Sequence, residues 1–311
     1  MSDLTHLSLY NHPDFSGLNV CEGQRYHRID YQIDGRIVGS FAGVIVGEKF
    51  TSGFSAGFGG PDLVREQERL EVVIAFVDHC IAELEGLGVR TIEVRAKPQH
   101  YSDNEHYLEF AMLRNGFRPC DENLNFFIDV RSYRTHDDYV DSLRHAPRRQ
   151  LKLALAQMYT WGESQTAQQL RAAYDVLVQS RERHGANLSL SFEYLQHLGN
   201  TFPGRLRFFS LDANAGMVAA CLVYVIAGPH VQVMYWGDQL VREPRIPGSA
   251  PPIAVMNLVA YRIVEQALAE GWRTIDLGPS TSASNVNFGN CAFKSSINAR
   301  TNFRRTFIRK S

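Results

Sequence analysis

The strongest constraint on the fold of this 311-residue chain is an internal repeat. The segment Val89–Val94 (VRTIEV) reappears as Trp272–Leu277 (WRTIDL). Apolar residues with helical spacing precede each copy, and a glycine, Gly88 or Gly271, closes each predicted helix. Because self-similarity at long spacing marks repeated structural units, the pattern predicts that the chain folds as two related units.

The match between the copies extends upstream of these helices. A turn that enters a strand stands at Asp34–Gly39 and again at Asn214–Ala219, and further strand-like runs follow each turn. In the second copy these runs are Cys221–Ala227 and Val231–Trp236. The order strand, strand, strand, helix, strand, helix, strand predicts an α/β fold with a mixed sheet, in which the crossover helix joins parallel neighbours.

Each predicted unit closes with a second helix and a last strand. These segments are residues 104–115 and 123–130 in the first unit, and 288–296 and 303–309 in the second. Extra helices are predicted between the units at 136–157, 167–184 and 192–200. We therefore expect two domains, residues 1–132 and 133–311.

Composition narrows the class of protein. The chain carries 32 Lys and Arg against 33 Asp and Glu, a formal net charge of −1, which argues against a broad nucleic-acid surface. Its longest apolar run, near Cys221–Ala227, is far shorter than a membrane helix requires. Five scattered cysteines without a Cys-x-x-Cys pair, and a polar N-terminus, indicate a cytoplasmic protein with reduced thiols and no metal site.

The two copies differ most just before the crossover helix. The second copy has Arg245-Ile-Pro-Gly-Ser-Ala250, whereas the first copy has Arg65 in the position of Gly248. A glycine turn at a helix N-terminus exposes backbone N–H groups, and a nearby arginine adds a cation, which suits a pyrophosphate. A flexible loop that enters the helix is the alternative. The predicted cradle, in the second unit only, consists of Arg245, Gly248, Ser249 and Ala250.

This unit order, with Arg-x-x-Gly-x-Ala opening the crossover helix, resembles the GNAT superfamily of acyl-CoA-dependent N-acyltransferases. Two units in tandem are similar to its FemAB-like branch, which includes the Fem peptidyltransferases and the BioF2-like acetyltransferase domain. The C-terminal part of the resemblance rests on Ile275–Gly278, on Gly289 followed by Phe293-Lys294, and on the basic helix Leu143–Lys152. The resemblance covers most of residues 30–310 and is best from residue 136 onward.

The resemblance implies acyl-CoA, most simply acetyl-CoA, as co-substrate. It implies a primary amine of a small metabolite, sugar or cell-envelope precursor as acceptor, which attacks directly in a ternary complex. The pantetheine arm would pair with the fourth strand, Val231–Trp236, where this fold has a bulge or splay beside the fifth strand. A backbone N–H near Tyr235 or Trp236 would then stabilise the tetrahedral oxyanion.

Three side chains are expected near the thioester. Asp276, at the end of the fifth strand, is either the base that accepts the amine proton or an acid that caps the following turn. Tyr235 is either the acid that protonates the leaving thiolate or a packing residue. Lys294 matches the Phe-Lys position of the family, where a cation lies near a phosphate; a solvated helix lysine is the alternative.

Polar groups for the acceptor are expected in two places. Asn285 and Asn287 lie in the polar loop 280–290, and Arg148 and Arg149 lie on the basic helix. A flexible loop and a solvated helix face are the simpler interpretations. We expect a monomer or a homodimer.

Three other functions are alternatives to acyl transfer by acyl-CoA. Gly53-Phe-Ser55-Ala-Gly57 has the Gly-x-Ser-x-Gly pattern of serine hydrolases, but the repeat places Ser55 in a strand and Phe58-Gly-Gly-Pro61 follows instead of a helix. A Fem-type transferase would form its amide with aminoacyl-tRNA, the one case in which nucleic acid is a partner. A catalytically inactive acyl-CoA-binding or scaffold protein is the third.

Overall fold

The computed structural model describes residues 7–239, 254–282 and 285–311. These residues fall into two compact units. Unit 1 holds the described residues of Met1–Phe126, Gly278–Phe288 and Thr301–Ser311, and unit 2 holds those of Phe127–Leu277 and Gly289–Arg300. Both units combine helices with mixed strands, so the predicted α/β class is confirmed.

Unit 1 combines a mixed set of strands with helices packed against them. Its strands are β1 (Arg25–Ile33), β2 (Arg36–Val46), β3 (Lys49–Ser52), β4 (Asp62–Leu63), β5 (Thr91–Arg95), β6 (Arg118–Asp129) and β14 (Arg300–Lys310), and a separate hairpin pairs β12 (Thr281–Ser282) with β13 (Asn285–Val286). Its helices are α1 (Pro13–Asn19), α2 (Leu70–Gly86) and α3 (Glu105–Arg114). The sheet order is β1-β2-β3-β5-β14-β6, and β4 pairs with β2.

Alternate side chains on the strands of unit 1 face the hydrophobic core. Phe50, Ile92 and Phe307, on three neighbouring strands, are buried in one core cluster with Phe76 of α2. Burial of each such side chain contributes about 1.5–3 kcal/mol. Because successive side chains on a strand point to opposite faces, the next residue after Ile92, Glu93, lies on the face away from this core.

Unit 2 also has a mixed set of strands, with helices on both faces. Its strands are β7 (Thr160–Glu163), β8 (Leu206–Ala213), β9 (Gly216–Ala227), β10 (His230–Asp238) and β11 (Thr274–Pro279), in the order β11-β10-β9-β8-β7. Its helices are α4 (His136–Ser142), α5 (His145–Leu155), α6 (Ala167–Arg183), α7 (Phe192–Thr201), α8 (Val255–Glu270) and α9 (Phe288–Ser296). The β10–β11 pair is parallel, and the other neighbours are antiparallel.

Helices α6 and α8 cover opposite faces of the unit 2 sheet. Gly237 on β10 packs so closely against α6 that a Cβ there would clash. Arg207 on β8 donates to Glu270 at the end of α8. Gly237 pairs with Ala220 of β9, and Arg207 pairs with Val223 of the same strand. Because the side chains of Ala220 and Val223 point to opposite sides of β9, the two helices lie on different faces of the sheet. Both faces of β9 are therefore buried, which explains its continuous apolar sequence.

Two details of the predicted elements are wrong. The turn at Asn214–Ala219 does not lead into a separate strand, because the chain from Gly216 to Ala227 is one strand and β8 precedes it. The single helix predicted at 136–157 is two helices, broken at Leu143 and Arg144. Pro147 explains the break, since proline lacks an N–H and is tolerated only in the first turn of a helix. No helix of the described ranges is long and apolar enough to cross a membrane.

The last strand of the chain lies in unit 1. β14 pairs antiparallel with β5, with Thr306 opposite Arg95 and Phe307 opposite Val94. The final strand of the second sequence copy therefore belongs to the unit that contains the first copy. Each compact unit consists of several separate chain segments. The boundary predicted between residues 132 and 133 separates the two sequence copies, and it stays a prediction.

Candidate functional site

The strands β10 and β11 of unit 2 separate after a short parallel pairing. They pair at three positions, His230 with Thr274, Val231 with Ile275, and Gln232 with Asp276. β10 continues to Asp238 and β11 to Pro279. Beyond Gln232 and Asp276, the edge of β10 no longer pairs with β11. Such an opening between parallel strands exposes backbone that can bind an extended ligand.

A β-bulge coincides with this separation. The pairing of β10 with β9 shifts between Val233 and Tyr235, which places Met234 as an extra residue. A bulge bends its strand and redirects the side chains that follow it. The bulge or splay that the family resemblance implies is therefore present, and Tyr235 and Trp236 follow it directly.

Asp276 is fully buried at the last paired position. Its Oδ2 accepts a hydrogen bond from Nε2 of Gln232 over 3.1 Å, and both side chains are buried. Two positions earlier along the pair, His230 Nδ1 and Thr274 Oγ1 lie 2.7 Å apart on the same face. Gln232 is not among the site residues predicted from the sequence, although a glutamine inside an apolar strand is a usable signal. A carboxylate held this way cannot reach an acceptor in solvent directly.

Helix α9 contacts both separated strands. Lys294 is 2% exposed, and its Nζ donates to the carbonyl oxygen of Leu277 on β11 over 2.7 Å. The neighbouring Phe293 packs edge-on against Trp236 of β10, with ring centroids 5.4 Å apart. Lys294 is therefore a buried cation at the end of β11, not a solvated helix lysine.

Tyr235 lies half-buried on the α6 side of the opening. Its hydroxyl is 2.6 Å from Oγ of Ser189, which is exposed, and the Arg181 guanidinium of α6 lies 5.8 Å from the ring centroid. Sequence reasoning missed Ser189 and Arg181, because both lie far from Tyr235 along the chain and belong to no motif. Among the predicted catalytic residues, Tyr235 is the one with solvent access.

The predicted cradle residues Arg245, Gly248, Ser249 and Ala250 lie outside the described residues. Helix α8, which they precede, begins at Val255 after Ala254. Within the described ranges, no group of three or more His, Cys, Asp or Glu side chains is arranged to hold a metal ion.

The predicted acceptor residues differ in their surroundings. Arg148 donates to the carbonyl oxygens of Asp141 and Leu143, so it joins α4 to α5. Arg149 is exposed on the same helix. Asn285 and Asn287 are exposed and belong to unit 1. There Asn285 is in β13, and the Asn287 N–H donates to the Ser280 carbonyl oxygen over 3.0 Å.

A buried ion cluster in unit 1 was not predicted. Nζ of Lys97 lies 2.9 Å from a carboxylate oxygen of both Asp62 and Glu105. Asp62 also accepts hydrogen bonds from Ser8 and Asn11. Burial acts to raise the pKa of Asp62, but the Lys97 charge and the hydrogen bonds from Asn11 and Ser8 lower it overall. Glu105 lacks these donors, and burial raises its pKa to about 7.

The placement of Ser55 in a strand is wrong. Strand β3 ends at Ser52, and Ser55 lies in the following loop with a positive φ of 55°. The short strand β4 and not a helix follows this loop, so the strand–turn–helix context of a hydrolase nucleophile is missing.

Comparison with known proteins agrees with this geometry. Residues 141–295 match the family model of the acetyltransferase (GNAT) domain. No curated protein matches the chain. Among solved structures, FemX superposes with a TM-score of 0.71 at 12% identity, covering 97% of this chain and 92% of FemX.

Two further structures share the fold. The C-terminal domain of a putative lysylphosphatidylglycerol synthetase from Agrobacterium fabrum gives a TM-score of 0.58 at 12% identity, over 93% of this chain and 85% of that one. A conserved protein of unknown function from Bacteroides thetaiotaomicron VPI-5482 gives 0.58 at 12% identity, over 98% and 93%. With its GNAT-domain match and GNAT-type fold, this chain is a GNAT-family acyltransferase whose acetyltransferase domain spans residues 141–295.

Proposed function

We propose that this protein transfers an acyl group, most simply acetyl, from acyl-CoA to a primary amine of a small metabolite, sugar or cell-envelope precursor. The amine attacks directly in a ternary complex. The observation that carries the proposal is the separation of β10 from β11 at the bulge around Met234. With five free cysteines, the chain suits the reducing cytoplasm, where acyl-CoA is available.

The described residues fit an extended thioester ligand. The edge of β10 beyond Gln232 is no longer paired with β11, so backbone groups there are placed to receive an extended arm as an added strand. Bound acyl-CoA supplies an activated acyl group. The backbone N–H groups at Tyr235 and Trp236 would hold the negative charge that develops on the acyl oxygen. Residues 245–250 are proposed to hold the pyrophosphate.

Proton transfer is assigned to the solvent-accessible side of the opening. Tyr235, hydrogen-bonded to Ser189, is the group proposed to donate a proton to the leaving sulfur. Asp276 is fully buried, so we assign it a positioning role: through Gln232 it holds the last paired rung of the two strands. Its alternative role as the base requires a water path from the amine.

Lys294 is proposed to stabilise the site electrostatically. Its ammonium is desolvated and fixed by the Leu277 carbonyl, so its charge acts at the end of β11 with little screening. The acceptor contacts predicted at Asn285, Asn287 and Arg149 stay proposals, whereas the bonds of Arg148 favour a structural role.

The proposal is tested by thiol release from acetyl-CoA in the presence of a panel of primary amines. We expect release above the hydrolysis background with at least one amine, and an acylated amine of matching mass. Acetyl-CoA binding without transfer to any amine would favour a binding or scaffold protein instead.

A Fem-type reaction with aminoacyl-tRNA is the second candidate. The similarity to FemX supports it, as do Arg144 and Arg149, exposed cations on or beside the basic helix α5. It predicts acceptor labelling only when charged tRNA is supplied. Activity that persists after ribonuclease treatment would exclude it.

A further inference from the structure

Unit 1 repeats the strand arrangement of the candidate site. β3 and β5 pair in parallel at three positions, Lys49 with Thr91, Phe50 with Ile92, and Thr51 with Glu93. In the sequence repeat, Glu93 occupies the position of Asp276. β3 ends one residue later at Ser52, whereas β5 continues to Arg95. Unit 1 therefore has its own opening beside a parallel strand pair.

A polar cleft of about 330 Å³ lies at this opening, entirely within unit 1. It lies beside Glu93 and Arg95 of β5, whose side chains are on the sheet face away from the core. Its other lining residues are Arg304, Arg305 and Thr306 of β14, Cys120, Asp121 and Asn123 of β6, and Ala56 and Gly57 of the loop after β3. Its volume is at the lower end of the roughly 300–1,000 Å³ of small-molecule pockets. A ligand in this cleft would be small and charged.

The rim of the cleft is closely packed. The loop after β3 turns at Gly53, whose φ is 62°, and a Cβ on Gly59 would lie 2.2 Å from the Gly53 backbone nitrogen. The Gly59 N–H also donates to the Arg95 carbonyl over 2.9 Å. Such a loop has little freedom to lose, so binding would cost little ordering entropy.

Arg95 is the cation that points to a ligand. Its guanidinium donates to the Gly53 carbonyl over 3.3 Å, and within the described ranges no carboxylate lies within ion-pair distance of it. Its neighbours differ: Arg305 pairs with Glu122 at 2.7 Å, and Glu93 pairs with Lys49 at 2.7 Å. A half-buried guanidinium with spare donors suits a planar carboxylate.

The same cleft contains oxygen atoms that can accept hydrogen bonds from a ligand. Asn123 is 8% exposed, and its Nδ2 donates to Asp121 Oδ2 over 2.7 Å. Its own Oδ1 has no hydrogen-bond partner in the part of the chain that the structure describes. A buried amide oxygen without a donor costs about 1–3 kcal/mol. A ligand ammonium beside Asn123 and Asp121 would satisfy it and gain a negative partner.

We propose that this cleft binds a free α-amino acid, with the carboxylate on Arg95 and the ammonium at Asn123 and Asp121. The cleft contains Arg95, a cation without a carboxylate partner among the described residues, and also the Asp121–Asn123 pair, which offers acceptor oxygens. This combination favours a zwitterion over a simple anion. The site lies wholly in unit 1, so the proposal does not depend on acyl transfer in unit 2.

The test is a calorimetric titration of the full chain with each of the standard L-amino acids in turn. Two further titrations use analogues of the amino acid that binds most tightly, one without the amine and one without the carboxylate. A third titration uses inorganic phosphate. We expect one or more amino acids to bind, and each truncated analogue to bind roughly ten- to hundredfold more weakly. Phosphate binding as tight as the best amino acid would make the cleft a general anion site and overturn the proposal.

Variants locate the binding. Arg95→Gln should weaken amino-acid binding roughly ten- to hundredfold, whereas Arg118→Gln, an exposed arginine of β6 outside the cleft, should leave it unchanged. Asp121→Asn should abolish the preference for the amino acid over its amine-free analogue. Unfolding midpoints check that the variants fold. Absence of binding to any amino acid, or equal affinity of the Arg95→Gln and Arg118→Gln variants, would overturn the proposal.

Discussion

Gln232 on β10 donates to Asp276 on β11 over 3.1 Å, and this buried bond marks the last position at which the two parallel strands pair. Beyond it the strands separate beside the bulge at Met234. The hydrogen bond therefore lies where the opening of the proposed site begins.

Removal of this bond should lower stability. Asp276→Ala takes away the acceptor of a buried amide, and we expect a loss of about 1–3 kcal/mol in the free energy of unfolding, measured in urea. The Gln232→Leu and Asp276→Ala double variant should lose less than the sum of the single variants, since both polar partners are gone. Additive losses would show that the two side chains do not interact.

Tyr235→Phe tests the proposed acid. Loss of the hydroxyl should lower kcat for acyl transfer about 100-fold or more, because a positioned proton donor contributes about that much. Tyr174→Phe is a matched control, since the Tyr174 hydroxyl bonds the Leu190 carbonyl in the same unit without belonging to the opening. Equal activity of the two variants would remove Tyr235 from the mechanism.

Lys294→Met keeps the side-chain length but removes the buried charge. We expect kcat/KM to fall about 100-fold, as when one electrostatic donor is removed from a site. Lys152→Met, at an exposed lysine of α5, is the control and should have wild-type activity. If both variants keep full activity, the Lys294 charge plays no part in catalysis.

Gly237→Ala tests the packing of β10 beyond the bulge. A Cβ at this position would lie 2.3 Å from Oγ of Ser180 on α6. We expect a loss of about 1–3 kcal/mol from overpacking, with partial recovery when Ser180→Gly is added. Urea denaturation measures both, and a neutral Gly237→Ala variant would show that β10 and α6 are less closely packed.

The Lys97 cluster predicts a specific pH dependence of stability. Burial raises the pKa of Glu105 from an ordinary 4.5 to about 7, although Lys97 acts in the opposite direction. Between these two values the folded state binds more protons than the unfolded state, so this group makes stability fall as pH rises.

Glu105→Gln should remove that contribution. Relative to the variant, the wild-type free energy of unfolding should be highest below pH 4.5 and should fall until about pH 7. Urea denaturation over this range measures the difference. A difference that does not change with pH would contradict the raised pKa of Glu105.

Local patterns in the sequence predicted most helices and the parallel core strands. Helix α9 has the predicted bounds, and Gly271 ends α8 with φ of 71°, as the glycine signal indicated. Strand β8 was not predicted, because its Phe208-Phe209 run does not alternate between apolar and polar residues. Both faces of this strand are covered.

The site itself was only partly predictable. The bulge follows from the family resemblance, but Ser189 meets Tyr235 across 46 residues of chain, a pairing that no local pattern encodes. The pairing of β14 with β5 joins segments about 200 residues apart along the chain, which no local pattern encodes either. Burial of Asp276 and Lys294 is also set by packing and not by spacing.

Calorimetric titration of the full chain with CoA tests the central claim most directly. We predict that the wild-type protein binds CoA, and that Gly248→Arg, which copies the arginine of the first repeat, abolishes binding without changing the unfolding midpoint. Failure of the wild-type protein to bind CoA, or equal binding by the Gly248→Arg variant, would contradict an acyl-CoA site in the second unit.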